Sequence, residues 1–227
     1  MPDAASVAVV IPAAGLGRRM GGGRKPLLEL SGRTLLDWSL APFLQRADVV
    51  EVMVVVAPFG EGVGGLPEDP RISTTTGGDS RFESVALGLG ALTSDAALVA
   101  VHDAARPFPP PEVIQRCFEV AGTGRGAVAG VPATDTVKEA DSDGRVLTTP
   151  DRRRLWYAQT PQVFPRALLE GAVERCREAG FVPTDDAGAV EFAGGEVRMV
   201  ASSPRNLKVT FPTDLVIARA FVAEGLV

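Results

Sequence analysis

The sequence predicts one α/β domain in which a mainly parallel sheet carries helices on both faces. Short runs rich in valine, alanine and isoleucine are typical of buried strands, and segments with apolar residues at helical spacing separate them. This alternation indicates parallel strands joined by crossover helices. Strands are predicted at residues 7–11, 49–56, 97–101, 127–131 and 197–200, and helices at residues 34–44, 80–92, 111–121, 166–179 and 212–223.

The composition is that of a globular chain without a strong charge bias. Its 227 residues are 45% hydrophobic and 22% charged, which suffices for one large core. Lys and Arg number 23 and Asp and Glu 28, so the net charge is −5. No global positive field then attracts nucleic acid or an anionic membrane surface, and we expect neither as a partner. Any anionic ligand must be held by local groups.

The targeting signals and the cysteines of the sequence bear on its cellular compartment. No basic stretch precedes an apolar signal core, and no apolar run reaches the roughly 18 residues of a membrane span, so a cytoplasmic protein is expected. Cys117 and Cys176 lie in predicted helices and lack metal-ligand spacing. Because free cysteines are among the most buried residues, inert core thiols are favoured over a disulfide or a reactive site.

Residues 132–161 depart from the strand–helix alternation. Two β-prone runs flank the turn Asp141-Ser142-Asp143-Gly144, and a basic run, Arg152-Arg153-Arg154, follows. Turn chemistry of this kind between two short strands is typical of a hairpin. Long insertions in compact domains are usually functional or disordered, so a projecting arm is favoured over a polar loop of no importance.

The strongest local signal is a loop of small residues directly after the first predicted strand. Residues 12–20 read Pro-Ala-Ala-Gly-Leu-Gly-Arg-Arg-Met, and Lys25 follows. Small residues let a phosphate or a base approach the backbone amides closely. The loop is not a Walker A motif, because Gly-Lys-Ser/Thr is absent, and it fits the dinucleotide fingerprint poorly. Arg19 and Lys25 would allow it to close over a triphosphate, and a solvated basic loop is the alternative.

The same loop resembles the signature of nucleotidylyltransferases, a group that activates sugars, polyols and molybdopterin. Later motifs occur in family order and resemble the 2-C-methyl-D-erythritol 4-phosphate cytidylyltransferases. These motifs are Gly77-Gly78-Asp79-Ser80-Arg81 with Ser84, His102-Asp103-Ala104-Ala105-Arg106-Pro107, Asp135-Thr136-Val137-Lys138, Gln159-Thr160-Pro161-Gln162, Thr184-Asp185-Asp186-Ala187 and Asn206-Leu207-Lys208-Val209-Thr210. The resemblance covers residues 7–215 and implies a Rossmann-like α/β fold with an arm used for dimerisation.

The resemblance implies a role for each matching residue on the nucleotide side. Arg19, Lys25 and Lys208 would stabilise the transition state. A divalent cation, Mg²⁺, would lie among the phosphate oxygens beside Asp103. Cytosine, ribose and phosphates would be held by Pro12, Ala13, Ala14, Gly15, Gly17, Gly78, Asp79, Ser84 and Ala104. From the residues alone, Asp79 and Ser80 could equally be helix N-caps.

On the acceptor side, the resemblance implies contacts from two subunits. Asp103, Arg106 and Thr184 would bind methylerythritol phosphate together with Lys208, while Thr136 and Arg152 would reach it from the arm of a second subunit. The implied assembly is therefore a homodimer. Arg106 could instead simply pair with Asp103, and the register of the active arginine within residues 152–154 stays open.

The implied reaction needs no protein base. A phosphate monoester has its second pKa near ~6 and is largely dianionic at neutral pH, so it can attack the α-phosphorus of CTP directly. Catalysis then consists of positioning two anions and stabilising the added negative charge. The single histidine, His102, is expected to be structural, and the sequence offers no convincing Ser-His-Asp or Cys-His set.

Two departures from the family pattern keep alternatives open. Lys25-Pro26-Leu27 stands where many relatives have Pro-Lys-Gln, and Asp186 stands where relatives usually have Glu. The Lys-Pro-Leu form is also common in molybdopterin nucleotidylyltransferases, so transfer to molybdopterin or to another phosphorylated polyol is the second enzymatic interpretation. A non-catalytic nucleotide-binding module is less favoured, because Arg19, Lys25 and Lys208 are all present.

Overall fold

A computed structural model describes residues 5–15, 25–57 and 65–227 of the chain. The seven strands of the central sheet are β1 (Val7–Pro12), β4 (Val49–Val56), β5 (Ile72–Thr76), β6 (Leu98–Val101), β7 (Gly126–Pro132), β10 (Trp156–Pro165) and β11 (Val197–Ala201). Their order across the sheet is β11-β7-β10-β6-β1-β4-β5. All neighbouring strands are parallel except β10, which runs antiparallel to both β6 and β7.

The described residues form six α-helices, α1 (Leu35–Leu44), α2 (Arg81–Gly90), α3 (Pro111–Ala121), α4 (Arg166–Ala179), α5 (Asp186–Phe192) and α6 (Pro212–Ala223). The first five pack on this sheet. Alternate residues of β1 enter two different buried clusters, because successive side chains of a strand point to opposite faces. Val9 packs with α1 and α3 residues in one cluster, whereas Val10 packs with α2, α4 and α5 residues in the other. The predicted mainly parallel sheet with helices on both faces is confirmed.

A smaller cluster lies beside the main core. The short strands β2 (Glu29–Leu30) and β3 (Arg33–Thr34) pair antiparallel. Leu30 and Phe108 pack there with Val209 and with Ala218 of α6. The C-terminal helix is thereby anchored next to the segment that carries Lys208, so this satellite cluster helps to place one of the predicted catalytic cations.

Both cysteines are buried and free. Burial raises the pKa of Cys117 to about 12, which leaves its thiol protonated and unreactive at neutral pH. The expectation of inert core thiols is confirmed. Among the helices that the structure describes, none is both long enough and apolar enough to cross a membrane.

The sequence patterns missed three elements of the main fold. The strand β5 is half exposed and rich in Ser and Thr, and α5 has only 7 residues, too few for a periodic pattern. The strand β10 contains Gln159, Thr160 and Pro161, and its register shifts between Ala158 and Gln162. These polar residues and the proline obscure the strand pattern in the sequence. The arm predicted at residues 132–161 is therefore too long, because residues 156–161 belong to the central sheet.

The predicted hairpin is present inside the arm segment. The strands β8 (Glu139–Ala140) and β9 (Val146–Thr148) pair antiparallel, and their side chains are exposed. Asp141 stabilises the turn by accepting hydrogen bonds from the backbone amides of Asp143 and Arg145, and Gly144 supplies a positive φ of 82°. The turn residues of the sequence thus account for the hairpin geometry.

Candidate active site

The loops that follow β1 and β5 meet at the carboxyl edge of the sheet. The backbone amide of Ala13 donates to Val55 O at 2.8 Å, and that of Gly77 donates to Val56 O at 2.7 Å. A Cβ atom built on Gly77 would lie 2.9 Å from the Cβ of Ala14 and 2.7 Å from the Oγ of Ser84. The predicted nucleotide-binding residues of both loops are therefore neighbours, and only glycine fits between them.

The capping interactions of α2 distinguish Ser80 from Asp79. Ser80 is the N-cap residue, and its side chain accepts a hydrogen bond from the amide of Glu83 at 3.0 Å. Asp79 is exposed, and its carboxylate pairs with no other described residue. Ser84 donates to the carbonyl of Gly78 at 3.4 Å, which holds the loop against the helix. Asp79 is consequently available for a ligand, whereas Ser80 has a structural role.

The most highly charged part of this edge is centred on Asp103, which follows β6. Its Oδ1 accepts from Arg81 Nε at 3.1 Å, and its Oδ2 accepts from Lys208 Nζ at 2.7 Å. Arg106 Nε lies 3.9 Å from the same Oδ2. Burial alone would raise the pKa of Asp103, but the charges of Arg81 and Lys208 outweigh it and hold the pKa well below its usual range. Asp103 is therefore a fixed anion.

A second buried carboxylate, Asp186, completes this group of ions. It is the first residue of α5, and Arg81 contacts it through two nitrogens, at 3.1 and 2.8 Å. Burial raises the pKa of Asp186, while Arg81 acts against that rise. Arg81 thus bridges two carboxylates from different elements, and its own pKa is raised because their charges outweigh its burial. We name Arg81, Asp103, Asp186 and Lys208 the ion cluster.

Arg106 is buried beside the ion cluster. Its Nη1 donates to Asn206 O at 2.7 Å and its Nη2 to Ala158 O at 3.4 Å. Asn206 is itself fixed by hydrogen bonds from its amide to Gln159 Oε1 and Thr160 O. The buried Nε of Arg106 has no hydrogen-bond partner among the described residues. The distance of 3.9 Å from Nε to Asp103 Oδ2 is that of an ion pair and too long for a hydrogen bond, so Arg106 pairs with Asp103, the alternative that the sequence left open.

His102 is structural, as predicted. Its ring is fully buried, with Nε2 at 2.9 Å from Arg106 O and Nδ1 at 3.0 Å from Thr160 Oγ1. Burial lowers its pKa to about 4, so the imidazole is neutral at pH 7. Thr160 also accepts from the backbone amide of Asp103, which ties β10 to the end of β6. The histidine therefore supports the loop that carries Asp103 and Arg106.

The predicted acceptor residues divide into two groups. Thr184 is exposed and directly precedes Asp185, the N-cap of α5, which Gln162 holds at 2.8 Å. Thr136 and Arg152 are exposed on the arm, where Arg152 Nη1 donates to Thr134 O at 2.8 Å. Neither arm residue hydrogen-bonds to the ion cluster of its own chain. Thr184 lies two residues before Asp186 of the ion cluster in the chain, whereas the arm residues make no hydrogen bond to that cluster.

Part of the predicted catalytic and nucleotide-binding sets lies outside the described residues. Gly17 and Arg19 belong to this part, and Lys25 begins a short 3₁₀-helix, Lys25–Leu27, whose first side chain is likewise outside the description. Of the three predicted transition-state cations, Lys208 is the one whose contacts are known. Its side chain is 42% exposed, so it reaches solvent while Asp103 holds its ammonium group.

The site fits a divalent cation only if the cation arrives with phosphate oxygens. No group of three or more His, Cys, Asp or Glu side chains suited to a metal occurs among the residues described. Asp103 supplies one carboxylate whose oxygens already accept from Arg81 and Lys208. Mg²⁺ characteristically binds through one or two carboxylates together with waters and substrate phosphates, and a single carboxylate is compatible with that mode.

Sequence reasoning assigned no role to Arg81, Asp186 or Asn206, although all three lie in the motifs quoted for the resemblance. Arg81 closes the glycine-rich motif after β5, and Asp186 and Asn206 lie in the two last motifs. The available signal was only their position inside these motifs, whose neighbouring residues are themselves mostly polar or small. Their partners lie 105 and 46 to 47 residues away, so the pairing became visible only in the fold.

The α/β fold, with its glycine-rich loops at the carboxyl edge of the sheet, is that of the nucleotidyltransferases, and comparison with known proteins shows that the chain belongs to this class. The sequence model of the family described as "IspD: 2-C-methyl-D-erythritol 4-phosphate cytidylyltransferase" matches residues 7–224. The chain belongs to this family of 2-C-methyl-D-erythritol 4-phosphate cytidylyltransferases.

Individual relatives agree over nearly the full length. A protein of that name from Trichodesmium erythraeum (strain IMS101) is 40% identical over 224 residues, which cover 96% of this chain and 99% of the relative. One from Haemophilus influenzae (strain Rd KW20) is 39% identical over 223 residues, covering 98% and 99%. Among solved structures, the enzyme from Thermus thermophilus has a TM-score of 0.81 and 35% identity, with 96% and 99% of the two chains covered.

Proposed function

We infer that this chain transfers CMP from CTP to 2-C-methyl-D-erythritol 4-phosphate and releases pyrophosphate. The product is 4-diphosphocytidyl-2-C-methyl-D-erythritol, an intermediate of non-mevalonate isoprenoid precursor synthesis. Membership of the family supports the reaction. The structural observation that carries it is the meeting of the loops after β1, β5 and β6 at one sheet edge, with Asp103 and Lys208 beside them.

For the nucleotide, we propose binding by backbone amides and small side chains of the first two loops. The close approach of Ala14, Gly77 and Ser84 leaves little side-chain bulk there, so a base and a ribose can lie against the backbone. Asp79 follows Gly77 and Gly78 directly in the chain, and its carboxylate can accept hydrogen bonds from sugar hydroxyls or from the cytosine amino group. Pro12, Ala13, Gly15, Gly17, Gly78 and Ala104 complete the proposed nucleotide-binding set.

For the acceptor, we propose a pocket of cations around Asp103. Arg106 lies there at 3.9 Å from Asp103, and the side chain of Lys208 is 42% exposed while its ammonium group donates to Asp103. Thr184 would add a hydroxyl from the start of α5. An oxygen of the acceptor phosphate attacks the α-phosphorus of CTP. The bond between the α-phosphorus and the oxygen that bridges it to the β-phosphorus breaks, and pyrophosphate leaves with the electron pair of that bond. Arg19, Lys25 and Lys208 would stabilise the negative charge that accumulates in this step.

We also propose that Mg²⁺ accompanies CTP. The cation would be held by phosphate oxygens with Asp103 as the protein carboxylate beside it, and it would neutralise charge on the departing pyrophosphate. The protein residues position Asp103 before the nucleotide binds, since Arg81 and the Thr160 hydroxyl fix its side chain and backbone.

The arm is proposed to complete the site of a second subunit in a homodimer. Its hairpin exposes Val146 and Leu147, at 52% and 53%, which is unfavourable for an isolated protomer. Arg152 is exposed on the same arm, and its guanidinium can bind a phosphate through two parallel hydrogen bonds. A cytoplasmic location is also proposed, because both substrates are charged metabolites and the two cysteines are free thiols.

The reaction is tested by measuring pyrophosphate release with each of the four common nucleoside triphosphates and a panel of phosphorylated polyols and molybdopterin. CTP with 2-C-methyl-D-erythritol 4-phosphate should exceed every other pair by at least about a hundredfold, since a missing hydrogen-bonded group in a built polar site costs on that order or more. Comparable or faster turnover with molybdopterin or with another polyol would assign the chain a different acceptor.

A further inference from the structure

Arg81 lies where three elements of the active site converge. It is the first residue of α2, directly after the Ser80 N-cap, and its guanidinium reaches both the end of β6 and the start of α5. Its side chain is 31% exposed, against 10% for Asp103 and 3% for Asp186. The arginine is thus fixed by partners that are more deeply buried than itself.

The hydrogen bonds divide the oxygens of Asp103 between two cations. Arg81 Nε donates to Oδ1, and Lys208 Nζ donates to Oδ2. A carboxylate can rotate about its bond to Cβ, and this torsion is broad unless neighbours restrain it. With Oδ1 held by Arg81, the rotation is restrained and Oδ2 faces the ammonium group of Lys208. The position of Lys208 is therefore coupled to Arg81 although the two side chains share no hydrogen bond.

Asp186 in turn fixes Arg81. Its two oxygens accept from Nη1 and Nη2, so the planar guanidinium is oriented by a two-point contact. That contact uses both terminal nitrogens and leaves Nε directed at Asp103. Removing the charge of Asp186 would free the guanidinium to rotate, and the contact between Nε and Asp103 would be lost or weakened.

We propose that Arg81, oriented by Asp186, is a positioning residue that fixes the Asp103 carboxylate and through it the ammonium group of Lys208 in the acceptor pocket. The proposal rests on the proposed cytidylyl transfer. It assigns to Arg81 and Asp186 no contact with either substrate. Their effect on the acceptor passes through Asp103 to Lys208, and this distinguishes a positioning role from a general contribution to folding.

A double-mutant cycle with Lys208 tests the coupling. Arg81→Gln and Asp186→Asn are each made in the native chain and in a Lys208→Ala chain, and kcat and KM are measured for both substrates. In the native chain each change should lower kcat/KM for the acceptor about tenfold, with KM for CTP unchanged within about twofold. In the Lys208→Ala chain the same substitution should lower kcat/KM for the acceptor by about twofold or less, because the ammonium group that Arg81 positions is absent.

Arg177→Gln is the matched control. Arg177 pairs with Glu83 of α2 at 2.9 Å on an exposed surface, so its loss removes an ion pair from the same helix without touching the ion cluster. Its kinetic constants should equal those of the native chain. Thermal unfolding of every variant shows whether it is folded at the assay temperature, and Asp186→Asn, which keeps the shape of the side chain, serves if Arg81→Gln does not fold.

Three results would overturn the proposal. The first is an equal loss of kcat/KM for the acceptor in the native and Lys208→Ala chains, and the second is native-like kinetics of both Arg81→Gln and Asp186→Asn. The third is a rise in KM for CTP with an unchanged kcat/KM for the acceptor. The last result would place Arg81 with the nucleotide loop. Failure of the proposed function is distinguishable, because the native chain would then transfer no CMP to this acceptor at all. A native chain that is active and sensitive to Lys208→Ala, with an additive cycle, would refute the positioning role alone.

Discussion

Mild acid should destabilise this protein through its one histidine. His102 has an ordinary pKa of 6.5, and burial lowers this to about 4 in the folded chain. Between these values the unfolded chain binds a proton at His102 and the folded chain does not, so the free energy of unfolding falls as pH is lowered. At about 1.4 kcal/mol per pH unit, the difference amounts to about 3 kcal/mol. The stability that depends on a neutral His102 is fully present above about pH 6.5 and is lost below about pH 4.

The structure explains the size of the effect. A charged imidazole would lie among Asp103, Arg106 and Arg81 in a fully buried position, and the loss of hydration outweighs the favourable contact with the single carboxylate. Asp186 acts in the opposite direction. Because burial raises its pKa above 3.8, the folded chain takes up that proton first as pH falls, which adds stability in acid. The two contributions must therefore be separated experimentally.

The assay is urea unfolding followed by far-ultraviolet circular dichroism at several pH values from 7 to 4.5, in the native chain and in His102→Gln. Glutamine does not titrate in this range and can still donate to the Arg106 carbonyl. The stability difference between native and variant chains should shrink by about 2 to 3 kcal/mol on acidification, while the contribution of Asp186 cancels in the comparison. A difference that stays constant from pH 7 to pH 4.5 would refute the account of His102.

Other substitutions probe the two sides of the site. Gly77→Ala places a methyl group 2.7 Å from Ser84 Oγ and 2.9 Å from the Cβ of Ala14, so KM for CTP should rise about tenfold or more, and an unchanged KM would show that this contact does not shape the nucleotide site. Lys25→Ala should lower kcat by about a hundredfold, the scale of losing one donor to developing negative charge, whereas near-normal turnover would remove Lys25 from the mechanism. Mixing Lys25→Ala chains with Arg152→Ala chains should restore part of the activity if each arm serves the other subunit, and an inactive mixture of folded chains would favour self-contained sites.

The local patterns of the sequence predicted the elements that have strong periodicity and clear ends. The predicted helix at residues 34–44 begins in the structure at Leu35, because Thr34 and Asp37 form a capping box. The helices at Pro111–Ala121 and Arg166–Ala179 have the predicted bounds. Apolar β1 and β4 were equally clear, since both are buried on two faces.

Elements shaped by tertiary contacts were less predictable. The strand β10 carries polar residues because Gln159, Thr160 and Gln162 make hydrogen bonds to Asn206, His102 and Asp185. Those contacts stabilise the strand despite its weak pattern, and they arise only when distant segments meet. The same holds for Arg81 and Asp186, which lie 105 residues apart in sequence. A glycine-rich motif indicates a binding loop, but it does not reveal which carboxylates orient its arginine.

The fate of the phosphates tests the central claim most directly. The folded chain is incubated with 2-C-methyl-D-erythritol 4-phosphate and CTP labelled at either the α- or the γ-phosphorus, and the products are separated. Label from the α-position should appear in the diphosphocytidyl product, and label from the γ-position should appear entirely in pyrophosphate. Label from the γ-position in the organic product, or no transfer from either position, would contradict the account.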